Sequence, residues 1–177
     1  MSSSRRSFIA VAAALAALAI FAAQASAAPL ADDPVLEEIQ ALRKETWRWQ
    51  RLMRVPLTPV SYRAEASSSA SFRAWVLDYW RSEARTARRA ALNPPRLRSW
   101  LCIHRHEGPW NDPNAPYYGG LQMDLDFQRT YGPELLRRKG TADKWTPLEQ
   151  MWVAERAHRS GRGFYPWPNT ARYCGLI

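Results

Sequence analysis

The sequence predicts a mainly α-helical fold, and three observations lead to this prediction. Two long stretches place apolar residues at alternating steps of three and four, which is the spacing of one face of a helix. Residues that cap the ends of helices, and the prolines and glycines that stop them, stand between these stretches and after them. Apolar residues make up 46% of the chain and aromatic residues 12%, so a folded core is expected rather than a disordered chain.

Length and composition exclude several classes of protein. The 177 residues allow one domain of ordinary size with an appendage. Eight glycines, 13 prolines and a sequence without short repeats exclude collagens, solenoids and propellers. Two cysteines are too few for a disulfide-rich miniprotein or a four-cysteine zinc site. The net charge of +9 favours attraction to anionic polymers.

Residues 1–27 have the pattern of a secretory signal peptide. Arg5 and Arg6 precede an uncharged, largely apolar run over 8–23, and the small residues of 25–27 form a signal-peptidase site. The alternative is a membrane anchor, but the run is shorter than the ~20 residues that a spanning helix needs. We therefore expect a secreted protein of the bacterial cell wall, exported by the general secretory or the twin-arginine route. No membrane span is expected after the signal peptide is cleaved.

Residues 28–66 are predicted to hold an N-terminal amphipathic helix and a proline-containing linker. The helix opens at Asp33-Pro34 and ends before Pro56 and Pro59, because proline lacks a backbone donor and restricts the residue before it. Its apolar or neutral seam lies at Val35, Ile39, Leu42, Thr46, Trp49 and Met53.

Residues 67–95 are predicted to form a second, basic amphipathic helix. The serines of 67–69 offer N-caps, and the prolines of 94–95 stop the helix. Its apolar face lies at Phe72, Trp75, Val76, Tyr79 and Trp80. Its arginines form either a polyanion-binding strip or, as is commoner, a solvated surface. The two apolar stripes could pack on each other as a hairpin or lie on the domain that follows, and the sequence leaves both arrangements open.

Residues 96–177 are predicted to form a domain of short helices. The first helix runs over 100–106 and ends at Glu107-Gly108, since glycine favours the left-handed conformation that closes helices. An irregular stretch follows over 109–120. Further helices are expected over 124–131, 133–139 and 146–160, the last of them opened by a capping box. The tail over 164–177 is rich in proline and tyrosine, and no helix is expected there.

The cysteines and histidines predict a disulfide and no metal site. In an exported protein, Cys102 and Cys174 are most simply one disulfide, and neither has an evident base that would make it a nucleophile. His104 and His106 point away from each other on a helix, so they cannot share a metal ion. His158 is the third histidine, and we expect these side chains to be surface or packing residues. No metal and no cofactor is expected.

Glu107 is the candidate for acid–base chemistry. A carboxyl group at the C-terminal end of a helix faces the negative end of the helix dipole, which favours the protonated acid. Trp110 and Tyr118 could shield it further from water. A carboxylic acid that keeps its proton near neutral pH can donate it to a glycosidic oxygen. From spacing alone, an exposed glutamate at a helix end is the commoner explanation.

Six short motifs follow one another between residues 100 and 175. They are Trp100, Glu107, Tyr117-Tyr118-Gly119-Gly120-Leu121-Gln122, Val153-Ala154-Glu155, Trp167-Pro168 and Cys174-Gly175. Their order resembles that of the resuscitation-promoting factors, a branch of the lysozyme-like transglycosylases. The Tyr-Tyr-Gly-Gly-Leu-Gln run after a glutamate is fairly specific, and each other motif is weak alone. The chain departs from the family at Cys102, which lies five residues before Glu107 rather than directly before it, and in the longer, more charged segment after Gln122.

The resemblance implies an α+β lysozyme-like fold, a small helical catalytic domain over 96–177 with a rudimentary β-turn region. It also implies cleavage of peptidoglycan between N-acetylmuramic acid and N-acetylglucosamine. Glu107 would be the general acid, and in the transglycosylase variant one glutamate suffices. The hydrolytic variant normally uses a second carboxylate, for which Asp112 is the candidate, since Asp124 and Asp126 are better explained as a helix cap and an exposed residue. The implied substrate contacts are Gln122, Tyr118, Gly119, Gly120, Trp110 and Trp167. Glu155 is expected to be a buried structural acceptor paired with an arginine.

The expected partners are peptidoglycan glycan strands, anionic wall polymers attracted by charge, and a wall hydrolase that binds the N-terminal helices. Nucleic acid is not expected, because the chain carries no nucleic-acid motif. Two alternatives remain open. One is a wall-binding protein with a lysozyme-like fold and no turnover, and the other is a small exported interaction module.

Overall fold

The structure is a computed structural model that describes residues 33–64 and 67–177, all within one compact unit. The predicted signal peptide over 1–27 lies outside the described residues. Within the described ranges, every helix is too short or too polar to cross a membrane.

Two long helices open the described part of the chain. Helix α1, Pro34–Met53, has Asp33 as its N-cap, whose side chain accepts a hydrogen bond from the backbone N–H of Val35. Its C-cap is Arg54, which is in the left-handed conformation (φ 52°, ψ 50°) two residues before Pro56. Helix α2, Ala70–Leu92, begins after Ser69, whose hydroxyl accepts from the N–H of Phe72. Both predicted helices are thus confirmed within a few residues.

Helices α1 and α2 pack on each other as a hairpin, which answers the question that the sequence left open. The buried residues of this contact are Leu36, Ile39, Ala64, Val76, Leu77 and Trp80. The buried faces are rotated from the predicted stripes. Trp75 stays 49% exposed, while the small residues Ala84, Ala87 and Ala91 are buried. Small side chains let the helix backbones approach closely. A prediction based on large apolar residues therefore overlooks these alanines.

Five shorter helices follow the hairpin. They are α3 (Leu97–Glu107), α4 (Leu125–Tyr131), α5 (Pro133–Lys139), α6 (Pro147–Ala157) and α7 (Pro168–Tyr173). Asp124 caps α4 by accepting from the N–H of Phe127 at 2.7 Å. Thr146 and Glu149 form the predicted capping box of α6. Helix α6 ends at Ala157, short of the predicted Ser160, and continues into a wider turn over 158–162.

The mainly helical class is confirmed, with one error in the tail. Helix α7 occupies Pro168–Tyr173, where no helix was expected. Pro168 is its first residue, a position where proline's missing N–H costs nothing and its fixed φ suits the helix. The described residues contain no β-strand, but Tyr118 and Met123 form an isolated antiparallel bridge.

The core of the C-terminal helices is aromatic. Trp100 and Trp167 lie with ring centroids 5.3 Å apart, and Phe164 packs beside them. A smaller cluster of Met53, Ala91 and Trp152 joins the hairpin to α6. The indole N–H of Trp152 donates to the carbonyl of Ala91 at 2.7 Å. The hairpin therefore lies against the helix that runs through the centre of the C-terminal part.

Candidate functional site

Glu107 lies at the last position of α3, and Gly108 ends the helix. Its side chain is half-buried, and its Oε1 accepts a hydrogen bond from the hydroxyl of Thr170 in α7. Its Oε2 has no hydrogen-bond partner among the described residues. One carboxylate oxygen is thus held by the protein, and the other is free to contact a ligand.

The predicted disulfide between Cys102 and Cys174 is confirmed, and it joins the two helices that position Glu107. Cys102 lies five residues before Glu107 in α3, and Cys174 lies four residues after Thr170, at the end of α7. The bridge and the Thr170–Glu107 hydrogen bond therefore connect the same two helices about one turn apart.

The backbone that follows Glu107 faces a hydrogen-bonded pair of side chains. A Cβ atom at Gly108 would lie 3.6 Å from both Asp112 Oδ2 and Gln122 Nε2, and the φ of +147° also favours glycine there. Gln122 Nε2 donates to Asp112 Oδ2 at 2.9 Å and to the carbonyl of Gly119 at 3.0 Å. The structure therefore brings Asp112 and Gln122 to the end of α3.

Gln122 is held in an uncommon conformation with one oxygen left over. Its φ of 46° is in the left-handed region, which is unfavourable for a residue with a side chain and recurs at functional sites. Its Nε2 is used by Asp112 and Gly119, while its Oε1 has no hydrogen-bond partner in the described part of the chain. This half-buried amide oxygen can accept a hydrogen bond from a ligand's hydroxyl or amide N–H.

Asp112 is occupied by its own loop. Its Oδ2 accepts from Gln122, and its Oδ1 accepts from both the backbone and the side-chain nitrogen of Asn114. Its backbone carbonyl accepts from the N–H of Gly119 at 2.8 Å. The contacts give Asp112 a role in fixing the loop and Gln122.

Gly119 and Gly120 are buried in the turn that Tyr118 and Met123 close, and both make room for protein groups. A Cβ on Gly119 would lie 2.5 Å from Gln150 Oε1, and one on Gly120 would lie 2.6 Å from His104 Nδ1. Neither distance is tolerable for a carbon atom. The space in which a side chain would stand at each glycine is therefore already taken by protein side chains.

Trp110 and His104 form a stacked pair beside this turn. Their ring centroids are 3.8 Å apart and the planes differ by 19°. Trp110 is half-buried, and its carbonyl accepts from Gln150 Nε2 at 2.8 Å, which ties the loop to α6. His104 therefore has the packing role expected of it. Tyr118 is also half-buried and packs against the core.

Trp167 does not fit the prediction of a substrate contact. It is 4% exposed, and its indole N–H donates to the carbonyl of Leu121 at 2.6 Å. The rings of Trp100 and Phe127 pack against the Trp167 ring in the core. Because no face of the ring is open, Trp167 supports the turn from inside rather than binding a ligand.

Glu155 is a buried structural acceptor, as the sequence predicted. It is 0% exposed, and its two oxygens accept from the backbone N–H of Arg96, the guanidinium of Arg96 and the indole N–H of Trp100, all at 2.8–2.9 Å. Asp124 is the cap of α4, and Asp126 is exposed on that helix with an ion pair to Arg129. None of these three carboxylates belongs to the site around Glu107.

Among the described residues, Cys102, Cys174 and His106 form one cluster of possible metal ligands, with ligand atoms within 4.8 Å of one another. The two sulfur atoms are bonded to each other, so neither is the thiolate that a metal ion requires. His106 instead packs against the ring of Tyr173, with centroids 4.3 Å apart.

Sequence reasoning missed Thr170. No local signal marks it as a partner of Glu107, which is 63 residues away along the chain. The sequence does contain a signal for the helix that carries Thr170. Pro168 follows Trp167, and proline is favoured at the first position of a helix.

No family model, no curated protein and no solved structure matches this chain.

The arrangement can perform acid–base chemistry at one point. A carboxyl group with one fixed and one free oxygen can give and take a proton, and the free amide oxygen of Gln122 and the ring of Trp110 lie on neighbouring parts of the same loop.

Proposed function

We propose that this protein is an exported peptidoglycan-cleaving enzyme with a lysozyme-like fold, and that Glu107 is its general acid and base. The observation that carries the proposal is the setting of Glu107, half-buried at the end of α3 with Oε1 bonded to Thr170 and Oε2 free. The motif resemblance to the resuscitation-promoting factors supplies the substrate, the bond between N-acetylmuramic acid and N-acetylglucosamine. The Tyr118–Met123 bridge is consistent with the rudimentary β region of such a fold.

The Thr170 hydrogen bond determines which oxygen reacts. Since Oε1 accepts the threonine hydroxyl, the acid form would carry its proton on Oε2. That proton moves to the glycosidic oxygen as the bond from this oxygen to the muramyl C1 breaks. The resulting carboxylate then takes the proton of the muramyl 6-hydroxyl, whose oxygen bonds to C1 and closes a 1,6-anhydro ring. Glu107 thereby regains its proton, and no water is consumed.

The contacts of Asp112 support this single-acid route over hydrolysis. Hydrolysis needs a second carboxylate that activates water or stabilises the positive charge of the transition state. Both oxygens of Asp112 already accept hydrogen bonds from Gln122 and Asn114. We therefore assign Asp112 to positioning Gln122, whose free Oε1 would accept from an N-acetyl N–H or a hydroxyl of the sugar. Trp110 would offer a flat face to a sugar ring.

Zymography of peptidoglycan tests the proposal. The purified protein should clear the gel, and Glu107→Gln should reduce clearing by a factor of about 10² or more, the usual contribution of a general acid. Glu37→Gln is the matched control, since it makes the same change at an exposed position of α1 and should clear normally. Equal clearing by the wild type and Glu107→Gln would refute the assignment.

Mass spectrometry of the released fragments distinguishes the two reactions. Anhydro-muramyl ends are expected from the single-acid route, whereas reducing ends would show hydrolysis and bring Asp112 back as a catalytic group. Binding to the wall without release of fragments would instead favour the wall-binding alternative, and neither binding nor release would favour the interaction module.

A further inference from the structure

A groove between α1 and α2 lies apart from the site around Glu107. Its volume is about 290 Å³, near the lower end of the range for small-molecule sites. Helix α1 contributes Leu42 and Glu45, and α2 contributes Arg81, Ala84, Arg85 and Arg88. Leu42 and the buried Ala84 give it an apolar floor, and the arginines line one wall.

One of the three arginines is committed to the fold. The guanidinium of Arg81 donates three hydrogen bonds to Glu38 of α1 at 2.9–3.1 Å, and one to Asp78 at 3.3 Å. Arg81 thus fastens α2 to α1, and the pairing fixes its guanidinium at the groove.

Neither of the other two arginines has an acidic partner among the residues that the structure describes. Arg85 and Arg88 are exposed, and neither makes an ion pair or a hydrogen bond with any residue in the described ranges. They follow Arg81 by four and seven positions, so the three positive charges lie along one face of the helix. Like charges at this spacing destabilise a helix. An anion between them would remove that repulsion.

We infer that this groove binds a phosphate ester whose alcohol part carries a free hydroxyl group. Guanidinium groups match the oxygen geometry of phosphate, and Arg85 and Arg88 together offer two unused sets of donors. The apolar floor fits the carbon chain of the alcohol. The site requires nothing of the enzymatic proposal.

Glu45 favours an ester over a bare anion as the ligand. Its carboxylate lines the same groove, half-buried, and its Oε1 accepts from the indole N–H of Trp49 at 3.1 Å. A carboxylate there repels inorganic phosphate but accepts a hydrogen bond from a hydroxyl group on the ligand.

Isothermal titration calorimetry of the full chain with glycerol 3-phosphate and with inorganic phosphate tests the inference. Arg85→Gln/Arg88→Gln should weaken the binding of glycerol 3-phosphate at least about tenfold, since hydrogen bonds to charged groups are lost. The matched control is Arg137→Gln/Arg138→Gln, which removes two exposed charges from α5. The control should bind within about twofold of the wild type, and so should Glu107→Gln.

Two further readouts make the ligand class falsifiable. Wild type should prefer glycerol 3-phosphate to inorganic phosphate, and Glu45→Gln should reduce that preference. Equal losses in the two double variants would show attraction by net charge alone and overturn the site. Equal affinity of wild type for the two probes would overturn the ester. Thermal unfolding of each variant verifies that it is folded, and removal of the repelling charges should leave α2 at least as stable.

Discussion

Replacing both cysteines tests how much the link between α3 and α7 contributes to stability. The disulfide spans 72 residues of sequence between Cys102 and Cys174. In the chain-entropy model, opening a loop of that length releases an entropy worth about 4 kcal/mol at 25 °C. For a chain of this size each kcal/mol corresponds to a change of about 2–4 °C in the melting temperature. Cys102→Ser/Cys174→Ser should therefore melt roughly 8–16 °C below the wild type.

Thermal unfolding followed by circular dichroism measures this shift. Wild type with a reductant should melt near the temperature of the serine variant, and the reductant should leave the variant itself unchanged. The variant thus controls for effects of the reductant elsewhere in the protein. A shift below about 2 °C would refute the entropic argument, because the loop length alone predicts several times more.

Three further predictions concern single side chains. Glu155→Leu should lower the free energy of unfolding by about 3 kcal/mol in urea titrations, because it strands the guanidinium of Arg96 and a buried indole N–H. Thr170→Val should slow peptidoglycan cleavage about tenfold, whereas Thr170→Ser, which keeps the hydroxyl that bonds Glu107, should remain near wild type. Burial lowers the pKa of His158 below its ordinary 6.5, so the unfolded chain binds this proton at higher pH, and stability should fall as the pH drops below 6.5.

Each of these predictions has a result that contradicts it. If Glu155→Leu is as stable as the wild type, the buried ion pair contributes no more to the free energy of unfolding than apolar packing does. Equal rates for the valine and serine variants would remove Thr170 from the site. For the histidine, the comparison is His158→Phe, which keeps the ring contacts with Trp100 and Phe164. A pH dependence unchanged in His158→Phe would show that other groups cause it.

Helix boundaries were predictable wherever a short-range signal determines them. Ser69, Asp124 and the Thr146–Glu149 pair act within one turn of the backbone that they cap, so the sequence contains the whole interaction. The sequence did not predict α7, because the proline- and tyrosine-rich composition of the tail argued against a helix. The one signal in favour was Pro168, at the first position of the helix.

Buried faces were less predictable, because burial depends on partners far along the chain. Gln50 is buried where the stripe of α1 suggested Trp49. Its side-chain amide is paired with Thr58, which lies in the segment after α1. The amide nitrogen donates to the Thr58 hydroxyl, and the amide oxygen accepts from the backbone N–H of Thr58. A polar residue with such a partner can replace an apolar one in the contact.

The position of Glu107 at the end of a helix was predictable, because Gly108 marks that end in the sequence. The surroundings of Glu107 were less predictable. Trp167 was predicted to contact substrate because aromatic rings occur in sugar clefts, whereas here it fills space in the core. Its hydrogen bond to Leu121 joins segments 46 residues apart, which spacing alone does not reveal.

Arg156 makes the hairpin and the C-terminal helices depend on each other. From α6 its guanidinium donates to the carbonyl of Leu52 at the end of α1 and to that of Tyr131 at the end of α4. Burial lowers its pKa to about 10, yet it remains a cation at neutral pH. Excision of residues 96–177 as a minimal fragment would therefore remove the Leu52 acceptor of Arg156 and uncover the indole of Trp152. Removing the N-terminal helices would therefore destabilise the C-terminal helices that such a truncation aims to isolate.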